Sequence, residues 1–477
     1  MEACGKKLLA VSFAVTLLVT LFGSGCSFVN QASYTPEPID ESGVSIQLKP
    51  AAQLQAAPST TAALTPQPIA VDAMPSPYPA TAAEAADAPA YTDVRKQCTF
   101  AVTNNRSEFF YARDASMESA WQSYPGEQSI TVDVPSSIHD ITGFYFKWDS
   151  PPPSWDLYAF DSAGNQILAD SGGENCGWTE FAEVPTRMSE YKRFMFVATN
   201  PEIAFAISNI SVYSGAVPEF VPRWKPFDGS RVDLLVIAAH PDDETVFLGA
   251  PAVTSVDDGK TVVPGYMSWG ASNRRFEAEE ACWMLGETYA PTLRAAHDMM
   301  ANSLESMERY WPLDKAVGYI VELIRKYKPS VIITHDIGGE YGHGAHIETS
   351  LATQLAFAQA SDPMKFPESA EKYGIWKPGK LYIHMYSNDK ITFDLDAPLG
   401  IFNGETVLQA VSAAFTSHTS QAAKGWKVES TGECSMENFG LFASNVGPDL
   451  KHDSMFENIS LRAMDQINDT NLHPNLQ

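Results

Sequence analysis

The chain is short of positive charge: 32 Lys and Arg stand against 58 Asp and Glu, a net charge of −26 over 477 residues. That excess repels phosphate backbones and anionic lipid head groups, so nucleic acid is not an expected partner. Cysteine is scarce too. Six residues in a chain of this length, with no CxxC pair, make neither a disulfide framework nor a cysteine zinc site. GxSxG is absent, which removes the usual serine-hydrolase elbow, and GxxxxGK[ST] is absent, which removes a phosphate cradle. No internal repeat is present. The apolar run Leu8–Phe22 near the start falls short of the ~20 residues that span a bilayer.

What is present begins with a leader. Lys6 and Lys7 precede that apolar run and the small residues "GSGC" close it, so residues 1–26 read as an export signal, with a membrane anchor as the alternative. "LFGSGC" resembles a bacterial lipoprotein cleavage site with Cys26 as the lipidated residue. Gly23 stands where an aliphatic residue is usual, which keeps ordinary signal cleavage open. The expected location is the cell surface, membrane-attached only through lipid at Cys26, with no protein partner evident. Outside the cytoplasm Cys98 and Cys176 are either a pair or two isolated buried thiols.

Residues 27–93 are rich in Ala, Pro, Thr and Ser and read as a disordered tether. Residues 94–215 change to aromatic alternation: Phe144, Phe146 and Trp148 share one face of "ITGFYFKWD", and Phe194 and Phe196 repeat the pattern. An antiparallel β-sandwich follows, resembling a discoidin or galactose-binding-like jelly roll; a spacer that binds nothing is the competing reading. Residues 216–229 form a proline-punctuated linker.

From residue 230 to 477 strands and helices alternate, which predicts an α/β domain with a mainly parallel sheet. "VDLLVIAA" reads as a strand buried on both faces. "TVVPGYMSW" is a strand that its proline demotes to an edge or bulged position. "RRFEAEEACWMLG" reads as a helix ended by Gly286. "DKAVGYIVELIRKYKP" is an amphipathic helix stopped by proline, before the short strand "SVIIT".

Ligands of open α/β sheets sit beyond the carboxyl ends of the strands, where "AAHPDDE" and "ITHDIGGEYGHGAH" fall. Catalytic zinc takes three ligands from His and carboxylate, a quota that His240, Asp243 and His346 fill, leaving Asp242 as a base near bound water. Helix capping accounts for one of these carboxylates and leaves the others repelling one another without a cation. His335 at the end of "SVIITH" is a ligand or a satisfied core histidine, the second being favoured. Trp269 stacks on a sugar ring or packs. Arg274 contacts a sugar hydroxyl or pairs with Glu277 on the same helix face, the helix pair being favoured.

On "AHPDDE" (239–244), Arg274, Glu277 and "LG" of the first helix, "YGHGAH" (341–346) and "AAFTSHTSQ" (413–421), residues 230–465 resemble the PIG-L/LmbE-like N-acetylglucosaminyl deacetylases. The resemblance implies a Rossmann-like fold and a zinc amidohydrolase acting on an amino-sugar glycan. It implies zinc on His240, Asp243 and His346, Asp242 as general base, and His343 as oxyanion stabiliser or acid. It also puts His418 near the pocket as a candidate substrate contact. The family pattern Gly-His-Pro-Asp-His becomes "GHGAH" here, so Ala345 removes a carboxylate that orients His343; Asp336 and Glu340 are candidate replacements. Ala345 also motivates a second expectation, a glycan-binding lipoprotein with a degenerate catalytic domain.

Overall fold

The computed structural model describes residues 90–173, 177–296, 298–432 and 435–469. The export signal, Cys26, the tether up to residue 89 and Cys176 lie outside the described residues.

Among the described residues, ten strands build the first domain. They are β1 (Thr92–Asp93), β2 (Thr99–Val102), β3 (Trp121–Gln122), β4 (Ser129–Asp133), β5 (Ile141–Trp148), β6 (Trp155–Phe160), β7 (Gln166–Gly172), β8 (Thr179–Glu183), β9 (Arg193–Ala198) and β10 (Ala206–Ser214). One sheet runs β1-β10-β5-β8 with β3 also on β10, the other β2-β4-β9-β6-β7. Every pairing is antiparallel. Thr92 and Asp93 pair with Ser214 and Tyr213, which corrects the expected boundary: the last two residues given to the tether are sandwich strand.

Between the sheets Phe144 and Phe146 meet Phe196 at ring separations of 5.0 and 4.8 Å. Each such buried ring contributes about 1.5–3 kcal/mol. Trp148 and Trp155 place their Nε1–H groups 3.1 and 2.8 Å from Glu180, so their polar ends are satisfied in the core. Cys98 is buried and forms no disulfide among the described residues.

The second domain carries β11 (Leu234–Ala238), β12 (Val262–Tyr266), β13 (Thr292–Leu293), β14 (Val331–Thr334), β15 (Lys380–His384), β16 (Lys390–Thr392) and β17 (Asn438–Ser444). Their order is β13-β12-β11-β14-β15-β17-β16. The first five are parallel; β17 runs antiparallel to β15 and β16. Successive β11 side chains enter opposite cores, Leu235 and Ile237 on one side, Leu234, Val236 and Ala238 on the other. Hence its sequence is apolar without alternation.

The reading of "TVVPGYMSW" as an edge or bulged strand is corrected. Strand β12 lies between β11 and β13, and its ladder with β11 runs in unbroken register. Its outer partner pairs only with Gly265 and Tyr266, so Pro264 sits just outside that short ladder. The amphipathic helix Leu313–Tyr327 buries Val317, Ile320, Val321 and Ile324 and stops at Lys328, with φ +50°, before Pro329.

The two domains are joined by more than the linker. Val221 of the linker is buried with Tyr145 and Tyr213 of the sandwich. The helix Ser272–Met284 lies against the sandwich along one side. Its Glu279 accepts from Trp178 N, Thr179 N and Thr179 Oγ1 at 2.7, 2.7 and 2.6 Å. Its Glu280 takes the Tyr145 hydroxyl at 2.9 Å and Lys147 at 2.7 Å. Gly177 lets the chain approach so closely that any Cβ there would collide with the Glu279 carboxylate. This explains why Tyr145, on the outer face of β5, is as buried as its inward neighbours.

Candidate metal centre

The chain order reverses between β11 and β14: β12 and β13 extend the sheet one way, β14 and β15 the other. A crevice at the carboxyl ends opens at such a reversal. His240 lies two residues beyond β11 and His335 directly follows β14, so both stand at its mouth.

His240, His343 and His346 offer ring nitrogens that lie within 4.8 Å of one another. Asp243, His335 and His346 form a second such group, so His346 is common to both. Asp243 connects them, with Oδ2 3.5 Å from His240 Nδ1 and Oδ1 3.4 Å from His346 Nε2. The expected residues His240, Asp243 and His346 thus lie together, but the two groups of mutually close donor atoms are His240 with His343 and His346, and Asp243 with His335 and His346, rather than the expected trio. All five are buried. His346 Nε2 and both ring nitrogens of His343 have no hydrogen-bond partner among the described residues, and His240 Nε2 lies 3.2 Å from Asp298 Oδ1. Buried imidazole nitrogens left without partners around a buried carboxylate suit a divalent cation.

Local folding explains the aim of these groups. Asp243 Oδ2 accepts from His240 N at 2.7 Å, and Glu244 Oε2 accepts from Asp242 N at 2.8 Å. These bonds hold Asp242 at φ +110°, a strained conformation for a residue with a side chain. The Asp242 side chain makes no capping bond, so helix capping does not account for it. Burial, with the Asp243 charge adding to it, pushes the Asp242 carboxyl up to about 7 against Arg274. Asp243 goes the other way. Burial alone would raise it, but the His346 and His335 rings and the His240 bond hold it well below the usual carboxylate range. Burial and the neighbouring His346 and His240 rings press His343 down to about 3.

Several expected roles change. Arg274 does not pair with Glu277: its Nη2 lies 2.6 Å from Asp242 Oδ1 and its Nη1 3.3 Å from Asp298. Glu277 instead accepts from Thr419 Oγ1, Ser420 N and Ser420 Oγ at 2.8, 2.9 and 2.6 Å. His418, expected to touch substrate, is fully buried and bonded through Nε2 to Glu244. The motif "TSHTSQ" thus braces the loop beneath Asp242 rather than lining a pocket. Trp269 packs edge-to-face on Trp178 of the sandwich at 5.1 Å. His335 is a satisfied core histidine, since Ala239 N donates to its Nε2 at 3.0 Å and its Nδ1 lies 2.8 Å from Glu340. Glu340 bonds His346 and His384, so it does not replace the lost orienting carboxylate of His343; Asp336 has no bond to His343 either.

Asp298, 3.2 Å from His240 Nε2, belongs to the site and was not expected. It lies in a stretch without a regular element, and nothing in the local pattern marks it. His384 had a signal: like His240 and His335 it stands at the carboxyl end of a buried parallel strand.

Fold and donor set together define an α/β domain with a candidate metal centre at its sheet reversal. Residues 235–357 match the family model described as PIG-L, GlcNAc-PI de-N-acetylase, so this part of the chain carries a PIG-L domain. Among curated proteins, the 1D-myo-inositol 2-acetamido-2-deoxy-alpha-D-glucopyranoside deacetylase of Thermobifida fusca (strain YX) is 33% identical over 180 residues. That match covers 31% of this chain and 63% of the relative, so the chain spans under two thirds of that protein. Among solved structures, the N,N'-diacetylchitobiose deacetylase of Pyrococcus horikoshii is similar at 18% identity and a TM-score of 0.31, over 40% of this chain and 70% of that one. An F5/8 type C domain from Bacteroides fragilis is similar at 14% identity and a TM-score of 0.23, over 27% of this chain and 98% of that one.

Proposed function

We propose that the domain is a zinc-dependent N-deacetylase that removes acetyl groups from an amino-sugar glycan, on a sheet of Rossmann-like type. The observation that carries the reading is the buried cluster in which His240 Nδ1 and His346 Nε2 both face the Asp243 carboxylate, with Asp242 buried beside them. His240, Asp243 and His346 would hold the ion. Zinc bound there would supply a Lewis acid that polarises an amide carbonyl and makes water acidic near neutral pH.

The rest is the work of side chains. Asp242 takes a proton from the attacking water, with Arg274 fixing its Oδ1. Water oxygen bonds to the acetyl carbon, and the carbon–nitrogen bond then breaks. His343 has no competing hydrogen bond, so its N–H faces the developing oxyanion or the departing amine. Acetate and a free amino sugar leave. Arg274 also reaches Asp298, so both border the base.

The test combines metal analysis of the purified protein with acetate release from N-acetylglucosamine oligomers. Stoichiometric zinc and acetate release that chelation abolishes are expected. Zinc-loaded protein that binds glycan but frees no acetate would sink the hydrolase reading in favour of a non-catalytic glycan-binding protein. Surface attachment through Cys26 is a separate proposal, checked by loss of fatty-acid labelling in Cys26→Ser.

A further inference from the structure

Position 345, where the motif resemblance calls for a carboxylate, holds a fully buried alanine. A different carboxylate enters the centre from five residues earlier. Glu340 lies in a one-turn 3-10 segment, Glu340–Gly342, entered through Gly339 at φ +67°. Its side chain is completely enclosed, as are those of His335, His346 and His384.

One carboxylate serves all three rings. Oε2 is 2.8 Å from His335 Nδ1 and 2.7 Å from His346 Nδ1. Oε1 is 2.7 Å from His384 Nδ1 and accepts from Asp336 N at 3.1 Å. Two of the rings are also held on their far sides. Ala239 N lies 3.0 Å from His335 Nε2, and Asp243 Oδ2 lies 3.2 Å from the same atom. His384 Nε2 lies 2.8 Å from the Ser435 carbonyl oxygen, which only accepts. His346 has no bond at Nε2 among the described residues; its Nδ1–H goes to Glu340, which leaves the Nε2 lone pair facing Asp243, 3.4 Å away.

Resting on the zinc reading above, we infer that Glu340 is the positioning residue of the centre. It selects the tautomer of His346 that ligates through Nε2 and ties that ring to the tips of β14 and β15. A carboxylate behind a ligating imidazole locks its orientation and raises its basicity, and losing one lowers metal affinity by about 10–100-fold. Ala345 therefore does not leave the centre without an acidic support; the support arrives from Glu340 and acts on His346 rather than His343.

The experiment measures zinc affinity by competition with a chromophoric chelator in the full chain and in Glu340→Gln, alongside the melting temperature of each metal-free protein. The expected result is about 10–100-fold weaker zinc binding in the variant. The visible spectrum of the cobalt-substituted variant should also shift, which a lowered metal-free melting temperature from the lost bonds would not by itself produce. Equal zinc affinity in parent and variant overturns the positioning role while leaving the hydrolase reading intact. A parent that binds no zinc overturns both. Should Glu340→Gln not fold, Glu340→Asp keeps the charge but shortens the reach; unchanged zinc affinity there overturns the inference equally.

Discussion

Arg274 and Arg275 are consecutive, yet Arg274 Nη2 lies 2.6 Å from Asp242 in the candidate site while Arg275 Nη2 lies 3.0 Å from Asp149 in the sandwich. Neighbouring helical side chains diverge by about 100°, so the first turn of Ser272–Met284 gives one cation to each domain. Asp242, the proposed base, and the domain seam are thereby held by one rigid element.

Asp242 accepts the water proton in the proposed reaction, so Asp242→Asn should retain zinc and lose turnover by at least ~10²-fold. Metal content and acetate release measured on the same preparation check this. Near-parental turnover would refute the base assignment.

His418 reaches Glu244 and not the crevice, so His418→Ala should act through the loop that carries Asp242. It strips a buried Glu244 oxygen of its partner, at about 1–3 kcal/mol. Steady-state kinetics should show kcat falling with KM little changed. A rise in KM alone would restore direct substrate contact.

The Arg275 guanidinium lies 4.5 Å from the ring centre of Trp178 and 5.7 Å from that of Trp269. A lysine cannot reproduce that flat stacking together with the bond to Asp149. Arg275→Lys should cost about 1–2 kcal/mol of stability, read as a lower urea midpoint. An unchanged midpoint would show that the seam does not depend on this stack.

Burial lifts the Glu279 carboxyl from its ordinary 4.5 to about 7, against the bonds from Thr179 and Trp178 that pull it down. A carboxyl raised on folding stabilises fully below its unfolded value, and that contribution is lost as pH climbs through the folded value. Melting temperature should therefore fall between pH 4.5 and about 7. Glu279→Gln should begin lower, because its NH2 cannot accept from Thr179, and should show a flatter slope across that window. A parallel slope in both proteins would count against Glu279.

The strand β11 and its tip were legible because a continuous apolar run ending in His-Pro-Asp-Asp-Glu has few other meanings. Helix stops at Gly286 and Pro329 were equally plain, being backbone chemistry. Long-range partner choice was not. Glu277 is the nearest acid to Arg274 along the helix, and only the folded chain shows that Asp242 and Asp298 take it. His418 was found by motif but assigned outward, since a sequence does not reveal that Glu244 lies beneath it. Pro264 signalled an edge; a two-residue neighbour is too short to announce itself in the sequence.

The seam at Glu279 also limits how this architecture is reshuffled by recombination. A sandwich grafted from another protein would have to bring two amide N–H groups and a hydroxyl to that enclosed acid, or leave it stranded beside the helix that steers Arg274. Positions 179 and 279 should therefore change in step among relatives that carry both domains.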